Sequence, residues 1–274
     1  MDLGIFAKTF AAQGAEPLLM AARQAGYASV QFNMACLGLA SMPEVISDET
    51  AQSVARASKA TGVKIAAVSG TYNMIHPDRA KRDDGMRRLG VMIKAAGAMG
   101  TGLVTLCTGS RDAEDQWRHH PDNESPEAWA DLTAEMTKAA VMADAHSVDL
   151  GIEPEFANVV CNAQAARRLI GEIGSPRIRI VLDPANLFEV AGEAERRDII
   201  ERAVDLLGER IVMAHAKDRD AKGNFVAAGT GVIDFRHFVG ALKNAVFNGP
   251  LITHGLSEAE APSVAAFLKG IVAT

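Results

Sequence analysis

The chain has 274 residues, 48% hydrophobic and 23% charged, a composition ordinary for a globular protein large enough to bury a real core. Its formal net charge of -6 argues against nucleic acid as the main partner, since phosphate binding is dominated by basic surface. No stretch approaches the ~20 apolar residues needed to span a bilayer, and the opening MDLGIFAKTFAAQG has no basic segment followed by a long apolar run, so no signal peptide or membrane anchor is expected. Cys36, Cys107 and Cys161 are widely spaced and form no C-x-x-C pair, which reads as reduced thiols in a cytoplasmic protein.

Leu3 to Phe6 is a short apolar run that predicts a first strand, followed by a helical face at Leu18, Leu19, Ala22 and Ala25 with Gly26 just past its end. Ala28 to Phe32 is the second strand, and Ser47 with Asp48 and Glu49 opens the next helix as a cap and an acidic first turn. Val63 to Val68 is the third strand, and a helix follows from about Asp78 to Met99. Leu103 to Leu106 leads into a long polar loop, Cys107 to Glu124, which holds Arg111, Trp117, His119 and His120. Ser125-Pro126-Glu127 starts the fourth helix. Val148 to Glu153 is the fifth strand, ended by Pro154, which cannot donate to a ladder. Asn162 caps a helix reaching Ile173, and Arg177 to Leu182 is strand six. Glu195 to Leu207 is helix six, Ile211 to Ala214 strand seven, and Asp234 caps helix seven. Leu251 to Thr253 is strand eight, and Ser257-x-x-Glu260 is a capping box for the last helix.

Eight strands, each followed by a helix, predict an α/β fold with a parallel sheet, and eight units in this length fit a (β/α)₈ TIM barrel spanning residues 1–274 as a single domain. A doubly wound open sheet would carry a glycine-rich phosphate fingerprint after the first strand, and LGIFAKTF has none.

In a barrel, residues that end different strands converge on the C-terminal mouth. Asn33, Asn73, Cys107, Glu153, Asp183, His215 and His254 would ring that opening. Glu153, Asp183, His215 and His254 end four successive strands and look like one metal site. Two carboxylates with two imidazoles suit Mn²⁺, Zn²⁺, Co²⁺ or Fe²⁺ better than Mg²⁺ or Ca²⁺. Lys8, Arg111 and Lys217 are candidate cations for a substrate carboxylate or phosphate, and Asn73 is a further candidate contact. The glycine loop Gly229 to Gly231 could offer backbone N–H groups to a substrate oxyanion.

These motifs resemble the xylose isomerase-like TIM barrel superfamily, which includes sugar isomerases and epimerases, inosose dehydratase-like proteins and endonuclease IV. The matching stretches are I-E-P with Glu153, V-L-D-P with Asp183, A-H-A-K-D with His215, and G-T-G-V-I-D ending at Asp234. The resemblance implies metal ligation by Glu153, Asp183 and His215. Where the epimerases carry a strand-eight glutamate, this chain has Thr253-His254, and the D-x-x-H pattern of strand six reads Asp183-Pro184-Ala185-Asn186. The nuclease branch needs several further histidines that are missing here.

The function implied is a divalent-metal-dependent isomerase or epimerase of a sugar, sugar acid or polyol, acting by proton abstraction beside a carbonyl through an enediolate. Glu153 would be the base, with Glu155 as a helper and His254 as ligand or second acid/base. A dehydratase of an inosose or keto-acid shares the first half of that chemistry. A barrel that binds a metabolite without turnover is the reading of different class, favoured by the altered strand-eight position. The resemblance also implies pairing into a homo-oligomer through helices on one side.

Overall fold

The computed structural model describes residues 1–273. The strands are β1 (Leu3–Phe6), β2 (Ser29–Phe32), β3 (Lys64–Ser69), β4 (Leu103–Leu106), β5 (Asp149–Ile152), β6 (Ile178–Leu182), β7 (Ile211–Ala216), β8 (Asp218–Arg219), β9 (Phe225–Val226) and β10 (Leu251–Thr253). All but β8 and β9 pair in parallel and close into a single barrel, with β10 between β7 and β1. The helices outside it are α1 (Ala15–Gln24), α2 (Asp48–Thr61), α3 (Arg79–Ala96), α4 (Pro126–Ala145), α5 (Ala163–Ile173), α6 (Glu193–Leu207), α7 (Phe235–Asn244) and α8 (Ala261–Val272). The predicted single-domain (β/α)₈ architecture is the one observed among the described residues.

The helix starts follow from local chemistry. Side-chain oxygens of Ser47, Ser125, Asn162 and Asp234 accept the orphan N–H groups of Thr50, Ala128, Ala165 and His237 at 2.9 to 3.1 Å. The Ser257–Glu260 box forms too, with the Ser257 N–H 2.8 Å from the Glu260 carboxylate. It opens a 3₁₀ turn, Glu258–Glu260, and α8 begins behind it at Ala261. The other departure follows β7, which runs to Ala216 and continues into the antiparallel hairpin β8–β9 before α7. Two strands of two residues each are too short to leave a periodic signal.

Alternation along each strand decides what faces inward. Ala67, Leu103, Val181, Met213 and Ile252 form a small core inside the ring, distinct from the larger core between sheet and helices. Gly151 fits against Val181 and Leu103, and Gly4 against Ile252 and Ser29. Moving two residues toward the C-terminal end from each of these inward positions reaches Phe6, Gln31, Ser69, Thr105, Glu153, Asp183, His215 and His254. The lower layer of the barrel is therefore small and, apart from Ser29, apolar, and the upper layer carries nearly all of its polar groups.

The lower layer has no slack at β1. A Cβ on Gly4 would lie 2.3 Å from the Ile252 Cδ1, which can swing, but 2.9 Å from the Ser29 carbonyl oxygen, which cannot. Gly4→Ala is expected to cost about 1–3 kcal/mol by overpacking, read as a lower urea midpoint with an unchanged slope.

Candidate metal centre

Glu153 and Asp183 leave adjacent barrel strands immediately before prolines, which end the ladder and turn each carboxylate over the mouth. The Oδ1 of Asp183 accepts the Ala185 N–H at 2.9 Å and caps the short turn Pro184–Asn186. Its Oδ2 then faces three nitrogens: His254 Nε2 at 3.2 Å, Lys217 Nζ at 3.4 Å and His215 Nδ1 at 3.9 Å. His215 Nδ1 is also 3.1 Å from Glu153 Oε1. The two imidazole rings meet edge to face with centroids 4.6 Å apart. One candidate donor atom from each of Glu153, Asp183, His215 and His254 lies within 4.8 Å of the other three.

That donor set fits a divalent ion. Ligand bonds of ~2.1 Å in a tetrahedral site place neighbouring donors about 3.4 Å apart, and the donor contacts of 3.1, 3.2 and 3.9 Å bracket that edge. A mixed nitrogen and oxygen set favours the transition metals and zinc over magnesium or calcium.

The charges are tightly compensated. Burial pushes the Asp183 carboxyl up, but the charge of Lys217 and the hydrogen bond from His254 outweigh it and hold the group well below the usual carboxylate range. Burial also acts on Glu153, and the His215 imidazole beside it brings the net shift below the ordinary value. Burial is the main cause that lowers His254, against the opposing pull of Asp183. Asn186 ties the cluster together: its Nδ2 donates to Glu153 Oε1 at 2.8 Å, and its Oδ1 accepts from Lys217 Nζ at 2.8 Å.

Above the cluster lies a cavity of about 380 Å³, lined by Glu153, His215 and His254, by Gln31, Asn33, Ser69, Thr71, Thr105 and Gln116, and by Phe6, Trp117, Cys107 and Lys8. Among the predicted substrate contacts, Lys8 reaches this cavity. Arg111 does not: its guanidinium is held by Asp131 at 2.7 Å and by the Ile75 carbonyl at 3.0 Å. Asn73 does not either, because its amide closes on the backbone of Ser110, donating at 2.7 Å and accepting at 3.1 Å. Both residues brace the long β4–α4 loop, which in turn brings Trp117 to the mouth.

Lys217 is committed to Asp183 and Asn186, with its Nζ 3.9 Å from the centroid of the Phe225 ring. Glu155 lies just off the cluster, where burial and then the charge of Glu153 push its carboxyl up to about 8. His119 and His120 are absent from the cavity lining; His120 caps a short turn by accepting the Asp122 N–H at 3.2 Å.

The glycine loop does not present N–H groups to a ligand. The buried Asp218 carboxylate accepts four backbone N–H groups, those of Arg219, Gly229, Gly231 and Ile233, at 2.8 to 3.1 Å. The expected oxyanion cradle is thus already filled by a side chain of the same domain. Gln31, Ser69, Thr105, Asn186 and Asp218 were not anticipated from sequence. Inward parity carries a signal for the first three, since each lies two residues beyond, or two before, a position that is readable as core or mouth.

The fold and the cluster define a (β/α)₈ barrel with a candidate metal centre at the C-terminal ends of its strands. The xylose isomerase-like TIM barrel profile matches residues 19–271, and the chain belongs to that family. In fold it is similar to 3-keto-D-glucoside 4-epimerase from E. coli, with 15% identity over 98% of this chain and 99% of that one and a TM-score of 0.77. It is also similar to an L-ribulose 3-epimerase (19% identity, 99% and 94% covered, TM-score 0.77). A D-psicose 3-epimerase crystallised in the presence of D-fructose shows the same likeness (14% identity, 100% of both chains, TM-score 0.76). No curated protein matches the sequence.

Asp218→Ala strands four buried or partly buried N–H groups, each costing about 1–3 kcal/mol if left unpaired. The expected loss is about 3 kcal/mol or more in urea unfolding of the metal-free protein, after partial relaxation of the loop.

Proposed function

We propose that this protein is a divalent-metal-dependent isomerase or epimerase of a sugar or polyol. The observation that carries the reading is the convergence of Glu153, Asp183, His215 and His254 at the floor of a cavity whose other polar lining is mostly neutral hydrogen-bonding groups. When bound, the ion supplies positive charge that stabilises the negative oxygen developing as a proton leaves the carbon beside a carbonyl.

The two carboxylates divide the work by position. The Asp183 side chain is fully buried, whereas the Glu153 side chain is 18% exposed and lines the cavity. Glu153 is therefore the group able to reach a substrate C–H, and Asn186 orients it through Oε1. Asp183 serves as a ligand. His254, 23% exposed, also lines the cavity and stands as ligand or second proton carrier.

Substrate binding falls to neutral groups. Asn33, Ser69, Thr71, Thr105 and Gln116 offer donors and acceptors for hydroxyls, and Phe6 and Trp117 offer apolar faces. Small-molecule sites run from about 300 Å³ upward, so a cavity of about 380 Å³ suits a monosaccharide-sized ligand. Arg111 and Lys217 are occupied elsewhere, which leaves Lys8 as the cation able to meet an acidic substituent. That three structural neighbours are sugar epimerases agrees with a sugar substrate. His254 in place of a glutamate favours one second reading, a barrel that binds a metabolite without turnover.

Metal-stripped protein titrated with Mn²⁺, Co²⁺ or Zn²⁺ should melt at a higher temperature, and Glu153→Gln should lose most of that gain. Incubation with a panel of ketoses in D₂O should give deuterium at the carbon beside the carbonyl. Glu153→Gln should slow that exchange by about 10²-fold or more. Stabilisation by metal without exchange on any ketose or aldose would favour the binding reading; no stabilisation by any of the three metals would remove the metal centre.

A further inference from the structure

We infer that Gln31 is a positioning residue that prepares His215 to bind a metal ion through Nδ1. The inference rests on the metal-centre reading above and extends it to a side chain on the opposite part of the barrel.

Gln31 is the inward residue of β2 nearest the mouth, between Val30 and Phe32, and only 5% of it is exposed. A buried amide is costly unless its polar atoms are paired. Its Nε2 donates to Ser69 Oγ at 3.2 Å on β3 and to Thr105 Oγ1 at 3.0 Å on β4. Its Oε1 is 2.8 Å from His215 Nε2 on β7. One amide thus links four strands across the upper layer of the barrel.

The consequence is a choice of nitrogen. His215 Nδ1 faces Glu153 Oε1 at 3.1 Å and Asp183 Oδ2 at 3.9 Å, so Nδ1 is the atom on the side of the cluster. A neutral imidazole that gives its Nδ1 lone pair to a cation must carry its proton on Nε2. His215 is only 4% exposed, so water is a poor partner for that buried N–H, and Gln31 Oε1 is the acceptor in place. Outer partners of this kind fix ring orientation and tautomer in metal sites, and removing them typically weakens metal affinity by about 10–100-fold.

The test compares Gln31→Leu, which has no acceptor, with Gln31→Glu, which keeps one. Metal-free wild type and variants are titrated with Co²⁺, followed by the visible absorption of the bound ion. Gln31→Leu is expected to bind about 10–100-fold more weakly than wild type, and Gln31→Glu within about threefold of it. In Zn²⁺-loaded protein, nitrogen-edited NMR should show a slowly exchanging His215 Nε2 proton in wild type and Gln31→Glu that is lost in Gln31→Leu. Should Gln31→Leu fail to fold, Gln31→Met, closer in length, carries the same comparison.

A folded Gln31→Leu or Gln31→Met that binds Co²⁺ within about threefold of wild type overturns the role of Gln31 while leaving the metal centre standing. A folded Gln31→Glu that loses Co²⁺ counts equally against it. Absence of Co²⁺ binding by wild type itself would remove the metal-centre reading, and this inference with it.

Discussion

The barrel mouth is organised by two carboxylates, one buried and one partly buried, that share one imidazole. Glu153 Oε1 and Asp183 Oδ2 stand 3.1 and 3.9 Å from His215 Nδ1, in a region where an uncompensated negative charge is strongly unfavourable. Lys217 brings a cation to Asp183, and Asn186 spans the gap from Lys217 to Glu153. Burying an ammonium requires compensation in turn, and it comes from the face of Phe225, which also covers the Arg219 guanidinium at 4.0 Å. Phe225 is in place because the chain after β7 folds into the β8–β9 hairpin. That hairpin is pinned by Asp218, whose carboxylate gathers the N–H groups of the glycine loop. The hairpin and the loop thus support the pair of acids through Phe225 and Lys217.

Much of this was legible in the chain. Apolar runs followed by capped helices specify eight βα units, and caps at Ser47, Ser125, Asn162 and Asp234 form where the residue types call for them. The four mouth residues Glu153, Asp183, His215 and His254 are readable because each terminates an apolar run, and the structure brings their donor atoms together. Gln31, Ser69 and Thr105 were hidden by the same rule. Gln31 and Thr105 lie inside strands, where a single polar residue reads as an interruption, and Ser69 ends β3 as an ordinary small polar residue before a glycine; only the inward parity of the closed barrel shows that all three share a layer with the carboxylates. Arg111 and Asn73 show the opposite limit. A cation in a long polar loop has no sequence mark that separates a ligand contact from a brace, and here Asp131 on α4 claims the guanidinium.

The brace matters to the site even so. The β4–α4 loop is long, polar and free of regular strand pairing, and such a segment holds one shape only if its backbone groups find partners. Asn73, Asn123 and Asn158 supply them: Asn123 accepts the Arg111 N–H at 2.7 Å, and Asn158 accepts the Gly109 N–H at 2.8 Å and donates to the Gln116 carbonyl at 3.1 Å. The loop so fixed sets Gln116 and Trp117 in the cavity wall. Side chains that touch no ligand determine where the apolar face over the mouth lies.

Charge balance gives His254 a rationale beyond substitution. With Lys217 beside Asp183, and with each imidazole counted in the neutral form that binds a metal, two carboxylates and one ammonium leave one net negative charge. A third carboxylate at position 254 would face Asp183 Oδ2 at roughly the present 3.2 Å, adding like-charge repulsion in a buried site. An imidazole there instead donates to Asp183 or offers a lone pair, and adds nitrogen to the donor set. Fewer anionic oxygens and more imidazole shift preference away from hard oxygen-seeking cations toward zinc, cobalt and iron. The strand-eight histidine therefore leaves the candidate metal centre softer and less negative than a third carboxylate beside Asp183 would.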